Sequence, residues 1–527
     1  YFHKASTEHV KGLLGNTPYA TVIGRDMLED PSAAIEDVVP LVESDRQYEL
    51  EPEWFRGIRF WLKPPRHTID QGRAIKLNAD QQRTAVPAPK QYQRLRGVAG
   101  SGKTLVLAQR AAALAAEGKR VLIITYNITL WHYIHDQVSR ARKEFTWSQI
   151  DFKHFHGLCK DILYENGVQW PFSEDEDDKD REKIFAEVVP EMVLSAIRDT
   201  PSWRRRSYDA ILIDEGQDYY ESWFRVLEAL LTDNKEILFL ADDKQNVYSR
   251  DGRWVDGPMS GFKGPWRELK YCYRLSSDLA DLANNFATRF LSDTVTPLLE
   301  YPTDQERDLF DVNLVWKNVS FDSSFEEALR VVLWLMHVKQ FHPSDIVLLI
   351  PTHKEGLLFL EQFREMRVLV NHVFEDEGKG RYFKKCFWMG SPRLKLCTIH
   401  SFKGWEVENV VLLTPDQYKP QWEKRLSSLL YTSITRALDN LVVLNRLERY
   451  EDYGDQWPKQ TDFDSCPPYS KLRDVHLARF HPDYQTDKII YYDFKEAAAA
   501  AKRSGRTVVR SPSGGWRLHS SETAGTA

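Results

Sequence analysis

A glycine-rich segment that ends in lysine and threonine is the part of the sequence best equipped for chemistry. It fits the pattern G-x-x-x-x-G-K-[ST], in which backbone N–H groups and a helix N-terminus surround phosphate oxygens. Lys103 would reach the terminal phosphates, and Thr104 would bind a magnesium ion. The segment therefore predicts a site for a nucleoside triphosphate. Its residues are Gly97, Val98, Ala99, Gly100, Ser101, Gly102, Lys103 and Thr104.

Two adjacent acids, Asp214 and Glu215, follow an apolar run at 210–213. Hydrolysis of a nucleotide needs one carboxylate to hold Mg²⁺ and another to orient and deprotonate the attacking water. We predict the first role for Asp214 and the second for Glu215. Such a pair can also cap a helix N-terminus, but its place downstream of a phosphate loop favours catalysis.

Short apolar runs locate the elements that must position these groups. In the first half of the chain, runs at 121–125, 210–213 and 237–241 are typical of buried parallel strands, and a helical pattern spans 105–117. Parallel sheets collect ligands at the carboxyl ends of their strands. A similar series in the second half predicts a second domain of the same α/β class. That series comprises 346–350, 394–398, 410–413 and 441–444.

Composition narrows the class of protein. The 527 residues are 42% hydrophobic and 28% charged, as expected for a soluble protein of several domains. No apolar run approaches the ~18 residues of a membrane span. The five scattered cysteines indicate neither a disulfide framework nor a zinc site, so we expect a cytoplasmic setting. A formal charge of −6 does not indicate a polyanion partner, but net charge conceals basic groups that line one cleft.

Further motifs follow in order along the chain. They are D-E-G-Q-D at 214–218, A-D-D-K-Q-N-V-Y at 241–248, L-K-Y-C-Y-R at 269–274, T-I-H-S-F-K-G-W-E at 398–406 and Y-T-S-I-T-R-A at 431–437. With these motifs, the sequence between Leu77 and Leu444 resembles the UvrD/Rep-type superfamily 1 helicases. The resemblance implies two RecA-like P-loop NTPase domains, with ATP and Mg²⁺ in the cleft between them. Phosphoryl transfer needs cations beside the oxygens on which negative charge develops.

The resemblance implies roles for residues of both domains at the ATP site. Gln245 would sense the γ-phosphate, while Arg274 and Arg436 would contact it from the second domain. Tyr273 would stack on adenine, and Glu406 would contact the ribose. The implied catalytic set is Lys103, Asp214, Glu215, Gln245, Arg274 and Arg436.

A glutamine would read the adenine edge, because its amide can donate and accept at once. Two adjacent candidates exist. The spacing from Leu77 favours Gln81, whereas the following residues 83–86 favour Gln82. The sequence leaves this choice open.

The resemblance also implies contacts with single-stranded DNA. Residues 125–127 and 155–157 resemble motifs Ia and Ib, and the first threonine and the histidine of 398–406 would face the strand. The residues after Tyr248 lack the usual aromatic, so Trp254 could replace it as a stacking platform; packing of Trp254 in the interior is the alternative. The implied DNA-binding residues are Thr125, Asn127, His156, Tyr248, Trp254, Thr398 and His400.

Domain limits follow from the motif positions. Residues 77–268 would form the first RecA-like domain, with a reduced 1B insertion at about 131–207, and residues 269–450 the second. Residues 1–76 would be an N-terminal extension that could be the remnant of an upstream domain, and 451–527 a C-terminal appendage. In this appendage a strand at 489–492, a helix at 495–502 and a strand at 507–510 predict a small β-α-β unit, followed by a tail from Ser520.

Two short intervals depart from the family pattern. Only 58 positions separate His156 from Asp214, and only 53 separate Asp345 from Thr398, where Rep-like enzymes carry the 1B and 2B insertions. Because those insertions engage duplex DNA, translocation on a single strand is better supported than strong unwinding.

We therefore predict an ATP-dependent DNA helicase or translocase that acts on single-stranded or tailed duplex DNA, with 3′-to-5′ movement implied by the resemblance. The alternative is a nucleotide-switched ATPase subunit that controls a nuclease or a repair or defence partner. An RNA helicase is less favoured, because the D-E-x-Q-D box and the Thr-Arg-Ala sequence at 435–437 are typical of the DNA-acting branch. The pathway, whether repair, recombination or defence, is left open.

Overall fold

The chain divides into two units, Tyr1–Leu62 and Lys63–Ala527, and every residue described below belongs to the second. The structure is a computed structural model. The described residues are 75–171, 182–200, 207–242, 245, 252–257, 260–291, 299–300, 312–374, 382–418, 423–457, 461–463, 465–480, 507–510 and 516–519.

The first sheet has six parallel strands in the order β3-β2-β4-β5-β1-β6. Its central strands are apolar along most of their length because helices cover both faces. In β2 the side chains of Ile123 and Leu122 point to opposite faces and enter two different hydrophobic clusters. The strands are β1 (Tyr92–Gly97), β2 (Val121–Thr125), β3 (Ile150–His154), β4 (Tyr208–Ile213), β5 (Leu231–Ala241) and β6 (Arg267–Leu269).

The second sheet also has six parallel strands, in the order β7-β12-β11-β8-β10-β9. Its core strand β8 is buried at every residue, and its partners β10 and β11 run in register beside it. The strands are β7 (Leu314–Asn318), β8 (Ile346–Ile350), β9 (Val370–His372), β10 (Leu394–Thr398), β11 (Val407–Leu413) and β12 (Ala437–Asn445). A separate antiparallel pair joins β13 (Thr507–Arg510) to β14 (Trp516–His519).

Helices connect the strands, and several begin at a side-chain cap. The Asn78 carboxamide accepts from the backbone N–H of Gln81, and the Ser276 hydroxyl accepts from that of Leu279. The helices are α1 (Ala79–Ala85), α2 (Lys103–Ala116), α3 (Trp131–Ser139), α4 (Phe155–Glu165), α5 (Val189–Asp199), α6 (Glu221–Glu228), α7 (Ser277–Phe290), α8 (Phe321–His337), α9 (His353–Glu365), α10 (Tyr382–Cys386), α11 (Ile399–Phe402), α12 (Glu423–Ile434) and α13 (Tyr469–Phe480).

The predicted α/β class with two parallel sheets is confirmed. The edge strands β3, β6, β7 and β9 carried too little apolar pattern to be predicted; in β3 only Ile150 is fully buried. β3 lies inside the stretch predicted as a reduced 1B insertion, so part of that stretch completes the first sheet. In the described part of the chain, no helix is long and apolar enough to cross a membrane.

The C-terminal appendage was predicted as β-α-β. The structure contains the predicted strand at 507–510, paired in antiparallel fashion with a strand at 516–519. The predicted strand at 489–492, the helix at 495–502 and the tail from Ser520 lie outside the described residues. The chain passes from the first sheet to α7 within 270–276, next to the predicted boundary after residue 268.

Candidate functional site

The phosphate loop lies between β1 and α2, at the carboxyl edge of the first sheet. Gly100 and Gly102 have φ angles of +71° and +84°, which favour glycine. A Cβ at Gly100 would lie 2.6 Å from Cβ of Arg274, and one at Gly97 would lie 2.5 Å from Ser101 Oγ. Ser101 Oγ is buried without a hydrogen-bond partner among the described residues. The crowded glycines and this unpaired hydroxyl fit a loop that wraps phosphate oxygens.

Lys103 and Thr104 lie where a magnesium nucleotide would need them. The Lys103 ammonium donates to the carbonyl oxygens of Gly97 and Val98 at 2.8 and 3.1 Å. The Thr104 hydroxyl donates to Asp214 Oδ2 at 3.0 Å. A hydroxyl and a carboxylate at this distance are the oxygen ligands that Mg²⁺ prefers, so the donor set fits the predicted metal.

The two adjacent acids differ in electrostatic environment. Burial and the neighbouring Glu215 raise the pKa of Asp214 to about 6. Burial also acts to raise the pKa of Glu215, but the cations Lys403, Lys103 and Arg436 outweigh it and lower that pKa. Glu215 has a φ of +53°, an uncommon conformation for a residue with a Cβ. The chain thus holds an ionised Glu215 in a strained turn directly after β4, as a base that orients water requires.

The structure distinguishes the two candidate glutamines. Gln81 is buried, and its amide nitrogen donates to the Ser101 carbonyl oxygen at 2.9 Å. The amide of Gln82 instead donates to the Leu77 carbonyl oxygen at the surface. Only Gln81 therefore contacts the phosphate loop.

Tyr273, the predicted adenine platform, lies beside the same loop. Its backbone N–H donates to the Gly100 carbonyl oxygen at 3.1 Å, and its hydroxyl accepts from Asn78 Nδ2 at 2.7 Å. Its ring is 40% exposed, which leaves a face that a base could cover. The neighbouring Arg274 forms an ion pair with Glu406, the predicted ribose contact. The side chains of these two predicted site residues are therefore paired with each other.

Arg436 of the second domain reaches the first domain directly. Its Nη2 donates to Gln245 Oε1 at 2.6 Å, and Gln245 Nε2 donates to Asp242 Oδ2 at 2.9 Å. Asp242 in turn lies 3.4 Å from the Lys103 ammonium. Burial and Arg274 lower the pKa of Arg436 to about 10, so the guanidinium remains charged at neutral pH. The second-domain arginine, the predicted sensor and the phosphate-loop lysine therefore form one connected chain.

Lys403 is a site residue to which the sequence assigned no role. Its buried ammonium donates to Asp218 Oδ2 at 2.7 Å and to the Gln245 carbonyl oxygen at 2.8 Å, and it lies 3.4 Å from Glu215 Oε2. Burial acts to lower the pKa of Lys403, but the two carboxylates outweigh it and raise that pKa. The T-x-H-x-x-K-G spacing marked this lysine, but its partners in the first domain could not be inferred locally.

Two predicted DNA-binding residues form contacts within the protein instead. Both hydrogens of the Asn127 amide are used, toward the carbonyl oxygens of Ser401 and Lys403 at 3.0 and 2.8 Å. The Thr398 hydroxyl caps α11 by accepting from the Ser401 backbone N–H and donating to its hydroxyl. These contacts argue against the predicted DNA roles of Asn127 and Thr398. Asn127 instead joins the two domains.

Trp254 also departs from its predicted role. Its ring packs against Phe224 and Phe239, with centroids 5.1 and 5.6 Å away, and its N–H donates to the Tyr219 carbonyl oxygen. This packing supports the interior alternative rather than a stacking platform for a base. Tyr248 lies outside the described residues.

Three predicted DNA contacts keep their position at the carboxyl edges of the sheets. Thr125 ends β2, and its hydroxyl accepts from the Asn127 backbone N–H. His156 lies half-buried among aromatic rings, including Phe185 and Trp223. The pKa of His400 falls to about 4 because of burial and the nearby cations Arg425, Lys403 and Lys384. The ring of His400 is therefore neutral at pH 7.

Two family models match parts of the chain. A model described as an AAA domain matches residues 82–251, and a model described as a UvrD-like helicase C-terminal domain matches residues 395–444. No curated protein matches the chain. The first match contains the phosphate loop and the acids at 214–218, and the second contains Lys403 and Arg436. The matched segments thus contain residues from both halves of the site, and they support the resemblance of the chain to the UvrD/Rep-type superfamily 1 helicases.

Proposed function

We propose that this helicase-type ATPase couples hydrolysis of ATP to movement along single-stranded DNA in the 3′-to-5′ direction. The observation that carries the proposal is the hydrogen bond from Arg436 of the second domain to Gln245 of the first. Together with the contact of Lys403 with Glu215 and Asp218, it makes the ATP site depend on how the two domains are arranged.

Residues of both domains would take part in hydrolysis. Magnesium-bound ATP supplies the phosphoanhydride that is cleaved. Thr104 and Asp214 would hold the metal, and Glu215 would orient a water and accept its proton. Arg436 and Arg274 would neutralise charge on the transferred phosphoryl group, as arginine fingers do.

Movement along DNA would follow if each domain held part of one strand. Thr125 and His156 lie on the first domain, and His400 lies on the second among cations that suit a phosphate backbone. Because Asn127 ties the first domain to Ser401 and Lys403, a change at the ATP site would alter the spacing between these two sets of DNA contacts.

A nucleotide-switched subunit that controls a nuclease or a repair or defence partner is the second candidate. The short interval from Asp345 to Thr398 favours it, since only 53 positions stand where Rep-like enzymes carry the 2B insertion. A protein without that insertion has less surface with which to engage a duplex.

The test compares ATP hydrolysis with and without an oligo-dT strand, in the wild type and in Lys103→Ala. Displacement of a labelled strand from a 3′-tailed duplex is measured in parallel, with a 5′-tailed duplex to report direction. We expect stimulation by oligo-dT and displacement from the 3′-tailed substrate only. Absence of stimulation would overturn the motor proposal. Stimulation without displacement from either duplex would favour a translocase that does not unwind, or the switched subunit.

A further inference from the structure

The segment 382–391 of the second domain crosses onto α3 of the first. The Trp388 indole donates to Asp136 Oδ2 at 3.2 Å, and His132 Nε2 donates to the Lys385 carbonyl oxygen at 2.8 Å. Beside these contacts, the buried ring of Phe387 packs edge-on against Trp405. The segment therefore spans the boundary between the domains at a fixed position.

The same segment is anchored to its own domain. The ammonium of Lys395 in β10 donates to the carbonyl oxygens of Ser391 and Arg393. Asn371 of β9 donates to the Cys386 carbonyl oxygen at 3.4 Å. Because Cys386 and Ser391 are held, the C-terminal end of α10 lies at a defined place beside the first domain.

A cavity of about 420 Å³ lies beside α10, at the carboxyl ends of β2 and β3. This volume is in the ~300–1,000 Å³ range of sites that hold small ligands. Trp131, Phe152 and Ile128 give it apolar walls, and Thr125 lies at its edge. Lys385 is the lining residue that comes from the second domain. The cavity therefore combines flat rings, a predicted DNA contact and one exposed cation.

Trp131 is held in a position that suits stacking. It is 42% exposed, and its ring stacks on His135, which in turn stacks on Trp147. A ring braced in this way loses little conformational freedom when a second flat group covers it. Stacking on aromatic rings accepts any base, because every base has a π-face.

The charges around the cavity suit a polyanion. Lys153 lines it, but its ammonium is paired with Asp161 at 2.7 Å. Lys385 adds a positive charge that is exposed. The adjacent Lys384 is one of the cations that lower the pKa of His400 on the second domain.

We propose that this cavity receives one base of single-stranded DNA, with the base stacked on Trp131 and the adjoining phosphate bound by Lys385. The inference rests on the proposed function and adds a contact to it. The segment 382–391 would then supply part of the DNA site from the second domain.

The first experiment measures the affinity of fluorescein-labelled oligo-dT by anisotropy across a range of salt concentrations. Trp131→Ala should raise Kd about tenfold, because one stacked base is lost. Lys385→Gln should lower the slope of log K against log salt by about 0.7, the value of one phosphate contact on a single strand.

Two matched control variants distinguish an effect of the cavity residues from a general effect of removing a ring or a charge. Trp147 is 40% exposed and belongs to the same ring stack but does not line the cavity, so Trp147→Ala should raise Kd far less than Trp131→Ala does. Lys471→Gln removes an exposed charge on α13 and should leave the salt slope unchanged. The thermal unfolding midpoint of each variant reports whether it is folded.

A second measurement does not depend on variants. Oligo-dT with a single 5-iodouracil is cross-linked to the wild type by light, and the modified peptide is identified by mass spectrometry. We expect the cross-link in the peptides that contain Trp131 or Phe152. If Trp131→Ala binds as Trp147→Ala does and cross-links fall elsewhere, the cavity is not a base site, while DNA-stimulated hydrolysis would still support the proposed function. Loss of both DNA binding and stimulation in the wild type would overturn both proposals.

Discussion

The two sheets share an architecture but contribute opposite charges to the site. Each has six parallel strands. The first places acids at its carboxyl edge, among them Asp214 and Asp242, beside the phosphate loop. The second domain brings Arg436 and Lys403 to the same place. Neither sheet holds the complete set of proposed site residues, so hydrolysis by the proposed mechanism would depend on contact between the domains.

The two domains also bury charge differently. In the first, Arg110 and Glu236 form a fully buried ion pair at 2.8 Å, and Arg110 also donates to the Thr84 carbonyl oxygen and to Gln93. In the second, buried Lys395 donates to three backbone carbonyl oxygens, those of Ser344, Ser391 and Arg393. A buried carboxylate therefore balances the charge of Arg110, whereas the ammonium of Lys395 binds loop carbonyl oxygens of the second domain.

The largest effect should come from removing the cation that the second sheet brings to the site. Arg436→Ala should lower kcat for ATP by ~10³-fold or more, as loss of an arginine finger does, while the affinity for a fluorescent ATP analogue changes little. Steady-state hydrolysis and equilibrium titration measure the two quantities. A near-normal kcat would mean that hydrolysis does not require Arg436 of the second domain.

Breaking the buried pair of the first domain should destabilise the protein. Arg110→Met leaves Glu236 charged and buried, which costs ~3–5 kcal/mol in the free energy of unfolding. The double change Arg110→Met with Glu236→Met should recover much of that loss, since no charge remains unpaired. Guanidinium denaturation followed by circular dichroism measures both. Equal losses in the single and double variants would contradict the role of ion pairing.

Substitution of Lys403 tests the contact between the two domains at Glu215 and Asp218. Lys403→Met removes the cation that holds Glu215 ionised and oriented, so kcat should fall ~10²-fold, within the range of a misplaced general base. Lys403→Arg keeps the charge and should recover part of the activity. The pH profile of kcat distinguishes loss of the charge from a structural effect. Without the Lys403 cation the pKa of Glu215 should rise, so the acidic limb of the profile should shift to higher pH. An unmoved acidic limb would point to a structural effect alone.

Lys395 should make the stability of the protein depend on pH. Burial lowers its pKa to about 7, although Asp345 acts to raise it, whereas the ordinary value is 10.5. Between these values the unfolded chain binds the extra proton, so the free energy of unfolding should rise by about 2 kcal/mol from pH 7 to pH 9 through this group. Lys395→Met should lack this component. Denaturation curves of both proteins at the two pH values give the difference, and parallel pH trends would exclude the effect.

Local sequence was sufficient to predict the elements that carry the chemistry. The strands 121–125, 346–350 and 394–398 match the observed limits, because continuous apolar runs between turns have few other ways to be buried. The phosphate loop was equally predictable, because its glycines are required by the local backbone conformation of a segment of eight residues, 97–104. The edge strands were not, because a strand with one partner and a half-exposed face leaves little pattern.

Contacts between distant residues were decided by the tertiary structure alone. The sequence could not distinguish Gln81 from Gln82 as the candidate adenine contact. The structure shows that Gln81 is the one of the two that contacts Ser101 of the phosphate loop. It assigned Asn127 to DNA, whereas the amide bridges to a backbone 276 positions away.

The sequence by itself thus determined which chemical groups are present and the two sheets that carry them, since backbone conformation and apolar periodicity are local properties. Only the tertiary structure decided which groups meet. The Arg436–Gln245 bond and the Lys403–Asp218 pair join residues 191 and 185 positions apart, and no local pattern specifies a partner at such a separation. Long-range packing of the two domains sets those distances, and with them the ATP site.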